Sequence, residues 1–233
     1  MIEIKDMYVG YYKDLDILQG VSLKAEEAQI VTVLGANGVG KSTLLKAIYG
    51  FLKPRAGQIL LDGKEITGIP SHQLITQGIS YIPQHSSVFP FMSVEDNLEL
   101  GAWTFRQDKE RVEEKVEENY KRFPMLRDRK NDDAGLLSGG MQRMVEVGRT
   151  LMTDPKVILV DEPTAGLAKM LSAEVYQMLV DLRDRDGLTI ILVDQEIRQA
   201  LKIADYVYVL ELGRNRVDGR AEEFTDLKKA LWD

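Results

Sequence analysis

The 233-residue chain predicts an α/β fold with a mainly parallel sheet at its centre, on three observations. Short β-branched runs alternate with helical patterns after residue 155, a glycine-rich loop joins a strand pattern to a helix pattern between residues 30 and 51, and the first 28 residues alternate apolar and polar. Hydrophobic residues at 44% and charged residues at 29% are ordinary globular usage, and the length suits one domain with an elaborated subdomain.

The elements follow in order. Ile2, Ile4, Ile17, Val21 and Leu23 mark half-buried antiparallel strands around a turn at Tyr12-Lys13-Asp14. Residues 30–34 read as a buried strand, and residues 41–51 as a helix carrying Leu44, Leu45, Ile48 and Phe51, with Gly50 near its stop. Residues 57–63 form a strand closed by Asp62-Gly63, and residues 78–83 a shorter one. From Ser93 the character becomes helical, opening on the capping pattern Ser93-Val94-Glu95-Asp96. Residues 108–123 keep Val112, Val116, Tyr120 and Phe123 on one stripe of a solvated amphipathic helix, with Glu117 and Lys121 as an i,i+4 pair. Strand patterns return at 157–160, 189–193 and 206–210, with a helix over about 172–185. Residues 221–233 read as a short amphipathic helix carrying Phe224, Leu227 and Leu231.

Composition excludes several chemistries. With no cysteine there is neither a disulfide framework nor a thiolate metal site, and with only His72 and His85 multi-histidine metal sites and most catalytic triads are excluded. A net charge of −7 argues against a broad nucleic-acid footprint, so no nucleic-acid partner is expected. The longest apolar runs, such as residues 190–193, fall far below the roughly 20 residues a membrane helix needs, and the amino terminus shows no signal-peptide pattern. A soluble chain is expected, reaching a membrane only through a partner.

The strongest motif is GANGVGKST: Gly35, Ala36, Asn37, Gly38, Val39, Gly40, Lys41, Ser42 and Thr43. It matches G-x-x-x-x-G-K-[ST], in which glycines let successive backbone N–H groups face phosphate oxygens, the lysine reaches the β- and γ-phosphates and the serine hydroxyl ligates Mg²⁺. It points to a P-loop NTPase fold and predicts a polyphosphate with Mg²⁺ as its ligands. A second motif, the apolar run 157–160 followed by Asp161 and Glu162, ends a strand in two carboxylates; Asp161 is placed to hold Mg²⁺ and Glu162 to polarise the attacking water. A third, Leu137-Ser138-Gly139-Gly140-Met141-Gln142, is locally a helix start with Ser138 as N-cap.

In this order and spacing the three motifs resemble an ATP-binding cassette (ABC) ATPase over nearly the whole chain, and the resemblance makes that polyphosphate ATP. The resemblance implies a mainly parallel sheet core with an antiparallel β subdomain (residues 1–90 and 155–220), an inserted α-helical subdomain (91–154) and a C-terminal helix (221–233). It implies head-to-tail pairing with a second ABC subunit, identical or paralogous, so that Ser138, Gly139, Gly140 and Gln142 close over the partner's ATP. It also makes Tyr12 the aromatic that stacks on adenine, the reading against it being a core strand aromatic. Gln84 becomes the residue that touches Mg²⁺ and the attacking water. Membrane permease subunits would dock near residues 84–92, where Val88-Phe89-Pro90-Phe91-Met92 reads either as a core loop or as an exposed patch. A substrate-binding protein in the full system and a place on the cytoplasmic face of the cell membrane follow from the same resemblance.

Two positions depart from the common cassette pattern. Gln195 stands where most cassettes carry a histidine against the γ-phosphate, and Ala168 where many carry aspartate. Lys41, Glu162 and Gln195 are the expected catalytic residues, with slower hydrolysis, or hydrolysis that leans harder on Glu162, expected from an uncharged amide that relays no proton. Gln195 together with the segment Gly166-Leu167-Ala168 resembles the ATP-binding subunits of branched-chain amino acid importers and of urea importers, as do GANGVGKSTLL, LSGGMQRMVEVGRTLM and ALKIADYVYVLELG. Gln84, where that subgroup often has glutamate, and Lys169, where it often has proline, stand against it. A soluble, non-transport cassette and a weakly hydrolysing switch remain the competing readings.

Overall fold

The computed structural model describes residues 1–12 and 15–224. Strands β1 (Ile2–Val9) and β2 (Leu18–Ala25) precede β3 (Ile30–Leu34), from which the glycine loop leads into α1 (Lys41–Ile48). Strands β4 (Ala56–Leu61) and β5 (Lys64–Glu65), the single turn α2 (Ser71–Leu74) and strand β6 (Ile79–Ile82) follow. The helical stretch holds α3 (Val94–Glu99), α4 (Lys109–Arg122), α5 (Pro124–Arg127) and α6 (Gly139–Leu151). The chain then alternates through β7 (Val157–Asp161), α7 (Lys169–Asp186), β8 (Thr189–Val193), α8 (Ile197–Ile203), β9 (Tyr206–Glu211) and β10 (Arg214–Arg220).

The central six-stranded sheet has the order β10-β9-β3-β8-β7-β6, parallel throughout except for β10, which pairs antiparallel with β9. A four-stranded antiparallel sheet, β2-β1-β4-β5, lies beside it. Because side chains alternate across a strand, each central strand feeds two cores. Ile30, Ile158, Val160, Ile190 and Leu192 face the helices α6, α7 and α8, while Val31, Val33, Leu159, Ile191 and Val193 face α1 and the antiparallel sheet. That double burial is why these strands read as continuous apolar runs, without the alternation seen in β1.

Several sequence expectations shift by a few residues. Helix α1 stops at Ile48 with Gly50 left-handed behind it (φ +76°), leaving Phe51 outside and half exposed. Helix α7 begins at Lys169, earlier than its apolar pattern suggests, because its first turn packs little. Ser93 and Asp96 form a reciprocal capping box on α3. Glu117 pairs with Arg127, reaching across to α5 in place of Lys121. Residues 221–224 form a 3-10 turn that buries Phe224, and the rest of the expected C-terminal helix, like Lys13 and Asp14 of the expected turn, lies outside the described residues.

Candidate nucleotide site

Parallel strands end on one edge, and the loops leaving β3, β8, β7 and β6 meet there. The glycine loop leaves β3 and ends at Gly40, whose left-handed backbone (φ +109°) caps α1; a β-carbon there would stand 2.5 Å from Leu18 Cδ2. Gly38 is also left-handed (φ +79°) and its β-carbon position is open, so the loop wraps without a side chain filling its hollow. Lys41 Nζ donates to the carbonyls of Gly35 (2.8 Å) and Ala36 (3.2 Å), lying over the loop it would share with a phosphate. Burial lowers the Lys41 pKa, and Glu162, Asp161 and Asp194 pull it back up. Beside the loop lies an open cleft of about 640 Å³ lined by Ile17, Gly38, Val39, Leu210, Gly213 and Arg216.

Ser42 Oγ donates to Asp161 Oδ1 (2.9 Å), and the Tyr81 hydroxyl donates to Asp161 Oδ2 (3.0 Å). Burial raises the Asp161 pKa while these two hydrogen bonds lower it. Ser42 and Asp161 thus form a hard-oxygen pair of the kind Mg²⁺ takes alongside phosphate oxygens and waters, and among the described residues no cluster of three or more His, Asp or Glu offers a competing cage. Glu162 turns away from the strand in a left-handed conformation (φ +43°), rare for a residue with a side chain, while its N–H bonds Val193 O at 2.8 Å. Such a conformation costs about 1–3 kcal/mol and aims the carboxylate at two amides. Gln84 Nε2 donates to Glu162 Oε2 at 2.5 Å, and Gln195 Nε2 to both carboxylate oxygens at 2.6 Å.

The structure therefore gathers Lys41, Ser42, Asp161, Glu162, Gln84 and Gln195 at one sheet edge. Tyr12 is 76% exposed, which removes the core-aromatic reading. Ser138 caps α6 by accepting from Met141 N (3.3 Å), and β-carbons on Gly139 and Gly140 would meet Leu167 and Leu171. Among the described residues no hydrogen bond joins Ser138, Gly139, Gly140 or Gln142 to the phosphate loop; Gln142 bonds Leu137 O at 3.2 Å. In the apolar run, Phe91 is 90% exposed and Phe89 half exposed, so the segment is a surface patch and not a core loop. Buried Asn97 pins it, accepting from Phe89 N (2.8 Å) and donating to Phe89 O (3.0 Å).

Sequence reasoning missed the groups behind these residues. Arg143 donates to the carbonyls of Pro83 (3.0 Å) and Gln84 (3.1 Å) and lies 2.7 Å from Glu146, which in turn accepts from Ser87 N. Arg149 donates to Ser87 Oγ (2.6 Å) and covers the Phe89 ring. An Arg and a Glu three apart in an otherwise apolar stripe, Arg143 and Glu146, were the available signal.

A phosphate loop on the second strand of a parallel sheet, with carboxylates two strands away, defines a P-loop α/β ATPase. The ABC transporter family profile matches residues 18–165, and the chain belongs to that family. It is 40% identical over 209 residues to the high-affinity branched-chain amino acid transport ATP-binding protein BraG of Pseudomonas aeruginosa, covering 90% of this chain and 88% of that one. It is 39% identical over 218 residues to the probable branched-chain amino acid transport ATP-binding protein LivF of Archaeoglobus fulgidus, covering 94% and 92%. Among solved structures, an ABC transporter cassette in its ADP conformation superposes with a TM-score of 0.86 at 31% identity, covering 100% of this chain and 95% of that chain. A dimeric cassette bound to ADP and phosphate superposes with a TM-score of 0.81 at 25% identity, covering 95% and 99%. The chain is an ATP-binding and ATP-hydrolysing subunit of an ABC transporter. Among the described residues no helix is long and apolar enough to cross a membrane.

Proposed function

We propose that this subunit powers the import of branched-chain amino acids, working as one of two paired cassettes on the cytoplasmic face of a cell membrane. The observation that carries the hydrolytic part is the Glu162 carboxylate gripped by Gln84 and Gln195 beside Lys41 and Ser42. Supporting the substrate are the relatives' names together with Gln195 and the Gly166-Leu167-Ala168 segment.

In this reading ATP phosphates lie on residues 35–43, where Lys41 exchanges its two carbonyl partners for β- and γ-phosphate oxygens. Tyr12 stacks on the adenine. Ser42, Asp161 and Gln84 hold Mg²⁺, which neutralises phosphate charge when bound. Glu162 takes the proton of the attacking water, and Gln195 turns an N–H toward a γ-phosphate oxygen. Residues 91–154 act as the subdomain that presents Ser138, Gly139, Gly140 and Gln142 to the partner's nucleotide, with residues 1–90 and 155–220 as the nucleotide-binding core. The patch at residues 84–92 receives the permease subunits, and a substrate-binding protein completes the system.

Glu162→Gln keeps ATP binding and lowers turnover about 10²-fold or more, as expected for loss of a general base. Unchanged turnover in that variant overturns the assignment. For the substrate, the cassette co-purified with its membrane subunits and reconstituted in vesicles is expected to drive ATP-dependent leucine uptake. Uptake of urea in place of leucine, or turnover stimulated by nucleic acid with no membrane subunit bound, refutes the substrate reading.

A further inference from the structure

Behind the reacting groups, three side chains form a buried chain of hydrogen bonds that ends on the backbone of Gln195. Asp194, 2% exposed, accepts at Oδ1 from Gln195 N (2.7 Å) and Glu196 N (2.9 Å). Its Oδ2 accepts from the Tyr176 hydroxyl at 2.8 Å. Tyr176 sits on α7, and its oxygen lies 3.2 Å from Thr164 Oγ1. With the Tyr176 proton on Asp194, the Thr164 hydroxyl is the donor of that second bond. Thr164 belongs to the segment that follows Glu162, so the chain ties the loop after β7 to the loop after β8 through Tyr176 of α7.

A buried carboxylate with the Glu162 carboxylate close enough to act on it is a costly choice where an uncharged acceptor would cap the loop. What it adds is strength and direction. Two consecutive N–H groups bonded to one carboxylate oxygen fix the peptide planes of residues 195 and 196, and the Gln195 side chain then leaves the loop toward Glu162. Fixing Asp194 is Tyr176, whose ring is locked in the core between the sheet and α7. We infer that Tyr176 and Asp194 are positioning residues for hydrolysis, holding the Gln195 amide on Glu162 and linking that geometry through Thr164 to the segment 164–168. The inference rests on the reading of Glu162 as base and Gln195 as its partner.

Tyr176→Phe tests it, because the ring stays and only the hydroxyl goes. Expected is a kcat lowered about tenfold with KM for ATP and equilibrium ATP binding within about twofold, the pattern of an interaction needed only in the transition state. In the Gln195→Ala background the same change has no further effect, since the two act in series. Asp194→Asn, which keeps the shape and loses the charge, gives the same kcat-only loss. A Tyr176→Phe variant that turns over at the parent rate overturns the inference. So do losses that multiply in the double variant, whatever happens to the melting temperature, because a purely structural hydroxyl behaves that way. An active Glu162→Gln sinks the underlying reading instead, so the two failures are told apart.

Discussion

Replacing Arg143 by methionine removes one cation from the interior and leaves its partner behind. Arg143 and Glu146 are 6% and 2% exposed at their side chains and lie 2.7 Å apart. Methionine fills most of the volume, so the cavity contribution is small and the loss of the cation beside Glu146 dominates; Arg149 still acts on that carboxylate, which puts the cost at the low end for a buried pair broken on one side, about 3 kcal/mol. The carbonyls of Pro83 and Gln84 lose their charged donors as well, adding up to about 1 kcal/mol each. For a chain of this length each kcal/mol moves the midpoint by about 2–4 °C, so the loss of about 4 kcal/mol corresponds to a fall of roughly 8–16 °C. Thermal unfolding followed by circular dichroism measures it, and a urea titration with unchanged slope confirms that the unfolded state is the same. The companion variant Arg143→Met/Glu146→Leu removes both charges and is expected to recover at least half of the loss. A single variant within about 1 kcal/mol of the parent, or a double variant less stable than the single, refutes the account of this pair.

Three further outcomes are expected. Gly40→Ala forces a side chain into a left-handed position and onto Leu18, so nucleotide affinity falls by about tenfold or more, measured by displacement of a fluorescent ATP analogue. Gln195→His keeps or raises ATP turnover and adds to the pH–rate profile an inflection near about 6.5 that the parent lacks; a loss of turnover contradicts the role given to Gln195. Tyr206 is pushed from the usual 10.0 to about 12, first by its hydrogen bond to Asp218 and then by burial. A raised value in the folded state means that its stabilising contribution is complete below 10 and lost as pH rises toward 12. The stability difference between the parent and Tyr206→Phe, read by urea unfolding at a series of pH values, therefore closes over that window.

The strands and the phosphate loop were legible because their signals are local. Residues 30–34 are apolar except for Thr32 and buried at every position, and GANGVGKST needs glycines where the backbone turns left-handed, at Gly38 and Gly40. Helix boundaries slipped where no local signal marks them: the first turn of α7 offers no side-chain cap, and Phe51 continues an apolar spacing that Gly50 has already ended. Glu117 found Arg127 because α5 folds back against α4, a contact no i,i+4 rule contains.

The sequence by itself marked the candidate groups, Lys41 and Ser42 after one strand and Asp161 and Glu162 after another, with Gln84 and Gln195 after two more marked through the family resemblance. Only the sheet order decided what they touch. In the order β3-β8-β7-β6 the loop carrying Gln195 emerges between the phosphate loop and Glu162, while the loop carrying Gln84 emerges on the far side, so one carboxylate is held by two amides that stand 111 residues apart in the chain. Strand order depends on which apolar faces bury together, and the parallel strands β3, β7, β8 and β9 all carry buried apolar side chains on both faces, so no short stretch of sequence carries that information.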